Sequence, residues 1–147
     1  MKTRIIEEKK FVTKDIQTKE PNGLLASLWK DWEKIFKVDP KQVYLNVCVP
    51  KAVKGPHLHK NRWDHFVCIR GKIRFIIQWG EEYEEIEVDA DNDPCFKIVE
   101  IPPAVACAIQ NIGSQEAWFL NMPNPAWHPE KQDDHSVDFT GYVWRDL

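Results

Sequence analysis

The chain has 147 residues, 43% hydrophobic and 29% charged, a balance that suits one globular domain with a core of its own. A formal net charge of −3 leaves no basic footprint for nucleic acid. No apolar segment approaches membrane-spanning length and the charged N-terminus lacks a signal core, so a soluble, cytoplasmic protein is expected.

In chain order, residues 4–16 read as strand, with Phe11-Val12 between charged neighbours, and Pro21-Asn22-Gly23 as a turn. Apolar residues at 24, 25, 28, 29, 32, 35 and 36 come close to a helical stripe, so a helix is predicted over 24–36 and stopped by Asp39-Pro40. The alternative over the same residues is a strand followed by a loop. From Gln42 the pattern changes to short β-rich runs at 43–49, 66–69, 73–79, 83–88, 96–101, 105–111 and 117–122. Gly80-Glu81 reads as a hairpin turn, 89–94 as a polar loop and 111–114 as a further turn. Many short strands without intervening helices argue for a sandwich or barrel. A Pro-rich segment from Pro123 to Pro129 and an acidic stretch follow, expected to wrap over the rim. The expectation is therefore one domain, 1–147: an arm with a probable helix (1–41), a barrel core (42–122) and a tail (123–147).

Cys48, Cys68, Cys95 and Cys107 form no C-x-x-C pair, and two lie inside apolar runs, as buried reduced thiols do. Seven Trp are a heavy load; each taken singly reads as packing, although Trp63, Trp118 and Trp127 are candidates to stack on a ring.

The chemistry concentrates between Gly55 and Gly71. His57 and His59, one residue apart, share a face if the backbone is extended, and Asp64 follows five residues after His59. The run 102–111 repeats a Pro-x-Gly-x-x-His-x-x-x-Asn spacing, with Ala104 and Cys107 in the Gly and His slots. In spacing and order the two stretches resemble the signature motifs of the cupin superfamily, which implies an all-β, cupin-type jelly-roll β-barrel, here with a short N-terminal strand and helix extension. Within it, Lys54-Gly55-Pro56-His57, Ile101-Pro102-Pro103 and the segment 124–129 resemble the branch of epimerases and ketoisomerases acting on dTDP-4-keto-6-deoxy sugars. The resemblance implies a nucleotide sugar as small-molecule partner and no cofactor; the charge and hydropathy leave no nucleic acid or membrane partner, and the long N-terminal arm and exposed barrel edges favour a homodimer. By the same resemblance His57 is the general base and Asp138 its carboxylate partner, while Lys54 faces the diphosphate or developing enolate. His59, Arg62, Arg74, Asn121 and Trp127 complete the substrate-binding set, with Arg70 and Lys72 as further charges near the motif. The family's proton-donating Tyr falls at Asn121, which cannot deliver a proton in that way. A one-base proton shift, as in a 3,4-ketoisomerase, is thus easier to support than double epimerisation. Two alternatives stay open. One is a metallocupin using His57, His59, Asp64 and Cys107, whose side-chain types suit Zn or Fe. The other is a noncatalytic sugar-binding protein.

Overall fold

In residues 64–79 the side chains alternate between two apolar environments. Phe66 and Cys68, then Ile73, Phe75 and Ile77, enter one buried cluster with Val99, Ile109 and Phe119. Their neighbours Val67 and Ile76 enter two others. A strand apolar on both faces must be covered on both, and the architecture follows from that requirement.

The computed structural model describes residues 2–147, which form twelve strands and, among the described residues, no α-helix. They are β1 (Arg4–Lys9), β2 (Phe11–Lys14), β3 (Pro21–Leu25), β4 (Tyr44–Cys48), β5 (Val53–Leu58), β6 (Asp64–Arg70), β7 (Lys72–Trp79), β8 (Glu82–Asp89), β9 (Cys95–Ile101), β10 (Cys107–Asn111), β11 (Ala117–Asn121) and β12 (His135–Ser136). One five-stranded antiparallel sheet has the order β1-β9-β6-β11-β4 and the other β12-β5-β10-β7-β8; β2 and β3 pair as a separate hairpin. The main core fills the space between the two sheets, so the all-β jelly-roll class expected is present, as two packed five-stranded sheets. No helix of the described residues is long and apolar enough to cross a membrane.

The helix expected over 24–36 does not form, and the strand-then-loop alternative describes the chain. Leu24 and Leu25 pair with Val12 and Phe11 in the hairpin. Beyond them an irregular strap lays Leu28, Ile35 and Phe36 on the outer face of the first sheet, against Ile6, Val67, Ile98 and Met122. An apolar sheet face needs only widely spaced anchors, so a helical stripe is not required to bury these side chains. Lys34 stands at φ 54°, which a right-handed helix cannot pass through. Trp32, on the predicted apolar stripe, is 74% exposed. Phe36 stacks on His65 with ring centroids 4.1 Å apart, and the Lys37 amide donates to Glu100 at 3.0 Å. On the second sheet, Ile76 and Ala108 are covered by Phe139 with Tyr83, Tyr142 and Trp144, so the tail closes the other outer face.

Candidate active site

Strand β4 carries its polar residues inward. Tyr44 and Asn46 face the space between the sheets, whereas Val43, Leu45, Val47 and Val49 face out and are 39–61% exposed. This inversion of the usual phase marks the end of the sandwich where the interior is polar. There Tyr44, Lys54, His57, His59, Arg62, Asp64, Cys107 and Asp134 ring a cavity of about 290 Å³ floored by Phe66, Ile101, Ile109 and Phe119.

Gly55 sets the opposite wall. At φ +89° it occupies the left-handed region, and a Cβ there would stand 2.9 Å from both the Cys107 carbonyl oxygen and the His57 nitrogen. Only glycine lets β5 run this close to β10. The register beside it slips between Cys107 and Ile109, and His57 pairs with Cys107 on one side and with Ser136 of β12 on the other. Among the described residues no hydrogen bond reaches the His57 ring, which stays exposed at the cavity. His59, just past the end of β5, lines the same cavity but is buried, so the shared face read from the His-x-His spacing holds.

His59 sits in a fixed charge network. Its Nδ1 lies 2.9 Å from Asp64 Oδ2, and its Nε2 lies 2.9 Å from Asp134 Oδ1 and 2.8 Å from Arg62 Nη2. Arg62 Nε donates to Asp64 Oδ1 at 2.9 Å, and Asn121 Nδ2 donates to the same oxygen at 2.6 Å. Asp64 is 1% exposed, so its charge is carried by these three donors. Burial works against a charged His59, but the Asp64 hydrogen bond and charge outweigh burial and the opposing Arg62, and the imidazole is held above its ordinary pKa. Burial likewise raises the Tyr44 phenol, so it is a proton donor rather than an anion at neutral pH. Its hydroxyl oxygen accepts from Asn121 Nδ2 at 2.8 Å and lies 3.4 Å from Arg62 Nη2.

The predicted residues divide into three groups. Lys54, His57, His59 and Arg62 converge on the cavity. Trp127 lines an adjoining cavity of about 280 Å³ with Gln42, and the two cavities share Tyr44, Arg62 and Asp134. Asn121 is fully buried behind Tyr44 and Asp64 and faces neither cavity. Asp138 and Arg74 are not brought to the site. Asp138 is exposed on the tail beyond β12, and the tail carboxylate at the cavity is Asp134. Arg74 points to the outer face of the second sheet, where it donates to Glu87 at 2.6 Å and Asp146 at 3.0 Å; alternation along β7 sends its inward neighbours Ile73 and Phe75 to the core.

The alternative metal set does not fit. Both His59 nitrogens are engaged by Asp64, Asp134 and Arg62, so the ring offers no lone pair without losing those partners. Burial, and secondarily Asp64, push the Cys107 thiol upward and disfavour the thiolate a metal needs. Among the described residues no three His, Cys, Asp or Glu side chains are grouped as ligands.

Tyr44 and Asp134 were not singled out from sequence. The signal for Tyr44 was the phase of 43–49, where the polar residues alternate with an apolar row. Asp134 carried none, because a solvated acidic tail reads the same way.

Residues 32–135 match the family described as polysaccharide biosynthesis C-terminal domain. The chain belongs to that family. No curated protein matches this family member in sequence. Among solved structures, the domain is similar to the capsular polysaccharide assembling protein CapF from Staphylococcus aureus (TM-score 0.62, 24% identity), over 68% of this chain and 29% of CapF. It thus spans under a third of CapF. It is similar over 95% of its length, and 86% of the other's, to a dTDP sugar isomerase from Desulfovibrio desulfuricans G20 (TM-score 0.76, 14% identity). It is also similar to a mutant of the 3,4-ketoisomerase QdtA from Thermoanaerobacterium thermosaccharolyticum in complex with TDP-4-keto-6-deoxyglucose (TM-score 0.70, 19% identity, 90% and 86% covered). The fold is that of the epimerase and isomerase group the sequence motifs resemble.

Proposed function

We propose that the domain isomerises a nucleotide-linked 4-keto-6-deoxy sugar by moving a proton from the carbon beside its carbonyl group onto the carbonyl carbon. The observation that carries this reading is the pairing, in one cavity, of an imidazole with no internal partner, His57, and a half-buried phenol held neutral, Tyr44. A ketone acidifies the hydrogen on the adjacent carbon, and an imidazole is basic enough near pH 7 to remove it.

For a 3,4-ketoisomerisation the atoms balance without an added reactant. His57 takes the proton from C3 while Tyr44 gives its hydroxyl proton to the 4-keto oxygen, leaving an enediol and a Tyr44 phenolate. The C3 hydroxyl then returns a proton to that phenolate as the C3 carbonyl forms, and His57 returns the carbon-bound proton to C4, so both groups are regenerated. Lys54, on the cavity wall, offsets charge that develops on oxygen. The adjoining cavity with Trp127 takes the nucleotide side of the substrate. The similarity to a dTDP sugar isomerase and to QdtA supports the choice of substrate class.

The reading includes a homodimer in a reducing cytoplasm. Supporting it are four free cysteines, the exposed outer row of edge strand β4, and exposed Phe11, Val12, Leu24 and Leu25 on the β2–β3 hairpin. Size-exclusion chromatography with light scattering should give twice the chain mass for wild type and a lower mass for Leu45→Arg.

The deciding test is deuterium uptake from D2O into dTDP-4-keto-6-deoxyglucose, followed by NMR. Wild type should exchange carbon-bound hydrogen next to the carbonyl and His57→Asn should lose at least about 100-fold of that rate. Nucleotide-sugar binding without exchange in wild type would overturn catalysis and leave a binding protein.

A further inference from the structure

Tyr44 and Asn121 are direct partners across the β4–β11 ladder. A phenol oxygen carries one hydrogen and accepts through its lone pairs. In Tyr44 that oxygen receives Asn121 Nδ2–H at 2.8 Å and faces Arg62 Nη2 at 3.4 Å, two groups that can only donate. The phenol's own hydrogen must point away from both.

The amide of Asn121 has one orientation. Its Oδ1 accepts the His65 backbone amide at 2.9 Å, and its Nδ2 serves Asp64 Oδ1 at 2.6 Å as well as Tyr44. Flipping it would set an oxygen against the buried carboxylate and an NH2 against a backbone N–H, leaving two buried polar groups in conflict. Asn121 is fully buried, so neither water nor ligand can substitute for it. With Asn121 and Arg62 both donating to the phenol oxygen, the open space left for its hydrogen is that of the joined cavities that Tyr44 lines.

We propose that Asn121 is a positioning residue that directs the Tyr44 hydroxyl hydrogen into the cavity, at the oxygen of the bound carbonyl compound. The inference rests on the acid role given to Tyr44 above. Without the Asn121 donor, the phenol is free to turn toward the charge of Asp64, which has itself lost a donor. The hydroxyl then turns inward and is withdrawn from the substrate. The slot in which the family's phenol was expected is thus filled by the group that aims a phenol from the neighbouring strand.

The test uses Asn121→Leu, Tyr44→Phe and the double variant, with 13C-labelled tyrosine. In ligand-free protein, the Tyr44 titration followed at Cζ should move to higher pH in Asn121→Leu, because a donor to the phenolate is gone. In deuterium exchange, kcat of Asn121→Leu should fall about 100-fold with KM within about threefold, and its alkaline limb should follow the Tyr44 titration. The double variant should be no slower than Tyr44→Phe alone, since both remove the same aimed proton. An unmoved Tyr44 titration in folded Asn121→Leu, or fully additive rate losses, would overturn the proposal. If Asn121→Leu does not fold, Asn121→Ser carries the same titration test. The ligand-free titration stands whether or not wild type exchanges deuterium, so failure here is distinct from failure of the isomerase reading.

Discussion

Replacing Asp64 by Asn keeps the shape of the side chain and removes its charge, at a residue that is 1% exposed and receives Arg62, His59 and Asn121. The new NH2 would then either oppose the Arg62 and Asn121 donors or, turned the other way, face His59 Nδ1, which must give up its proton to accept from it. Removing one member of a buried ion pair costs about 3–5 kcal/mol. The lower end applies, because Arg62 keeps Tyr44 and, at 3.9 Å, Asp134. A loss of about 3 kcal/mol corresponds to a fall in Tm of about 6–12 °C for a domain of this size. Asp64 also holds the His59 imidazole above its ordinary pKa. A His whose folded pKa lies above its unfolded one adds stability that is complete below the unfolded value and disappears as pH rises through the folded value. The penalty of Asp64→Asn should therefore be larger near about pH 6 than near about pH 9, and the His59 titration should move to lower pH. Urea unfolding at both pH values, with His Cε1 NMR, measures each quantity. A loss under about 1 kcal/mol with an unmoved His59 would refute the account of Asp64 as the hub.

Two further variants probe the scaffold. Gly55→Ala adds a Cβ 2.9 Å from two backbone atoms at φ +89°, so it should destabilise by at least about 1–2 kcal/mol and weaken ligand binding through displacement of His57, as read by calorimetric titration with dTDP. Phe36→Ala removes a buried ring stacked on His65 and one anchor of the strap; about 3 kcal/mol of stability should be lost, with hydrogen exchange rising across 26–40 ahead of the sheets.

Strands read from periodicity survive with boundary shifts of a residue or two, because alternation is imposed by burial between two sheets; 73–79 and Lys72–Trp79 are the same element. β5 was missing from the strands read by periodicity, although the shared face of His57 and His59 presumes an extended backbone there; it holds the ladder because β10 approaches where no Cβ intervenes. The strap defeated the reading for the opposite reason: its apolar spacing was real, but the surface it meets is a sheet rather than a helix groove. At the site, the His-x-His and Asp64 pattern was visible because local spacing encodes it. Asp134, 75 residues from His59, comes through a strand pair that no local pattern announces.

Strand β4 bonds to one neighbour only, through the same backbone that holds Tyr44 toward the cavity. Its outward row, Val43, Leu45, Val47 and Val49, adjoins Trp118, whose indole Nε1 is the single buried side-chain polar atom without a partner among the described residues. Under the proposed dimer, one ribbon of chain would be both a wall of the cavity and the rim where the second copy seats. Pairing at that rim would stiffen the wall and dilution would free it, so the proposed activity is expected to vary with protein concentration even though each cavity is built from a single chain.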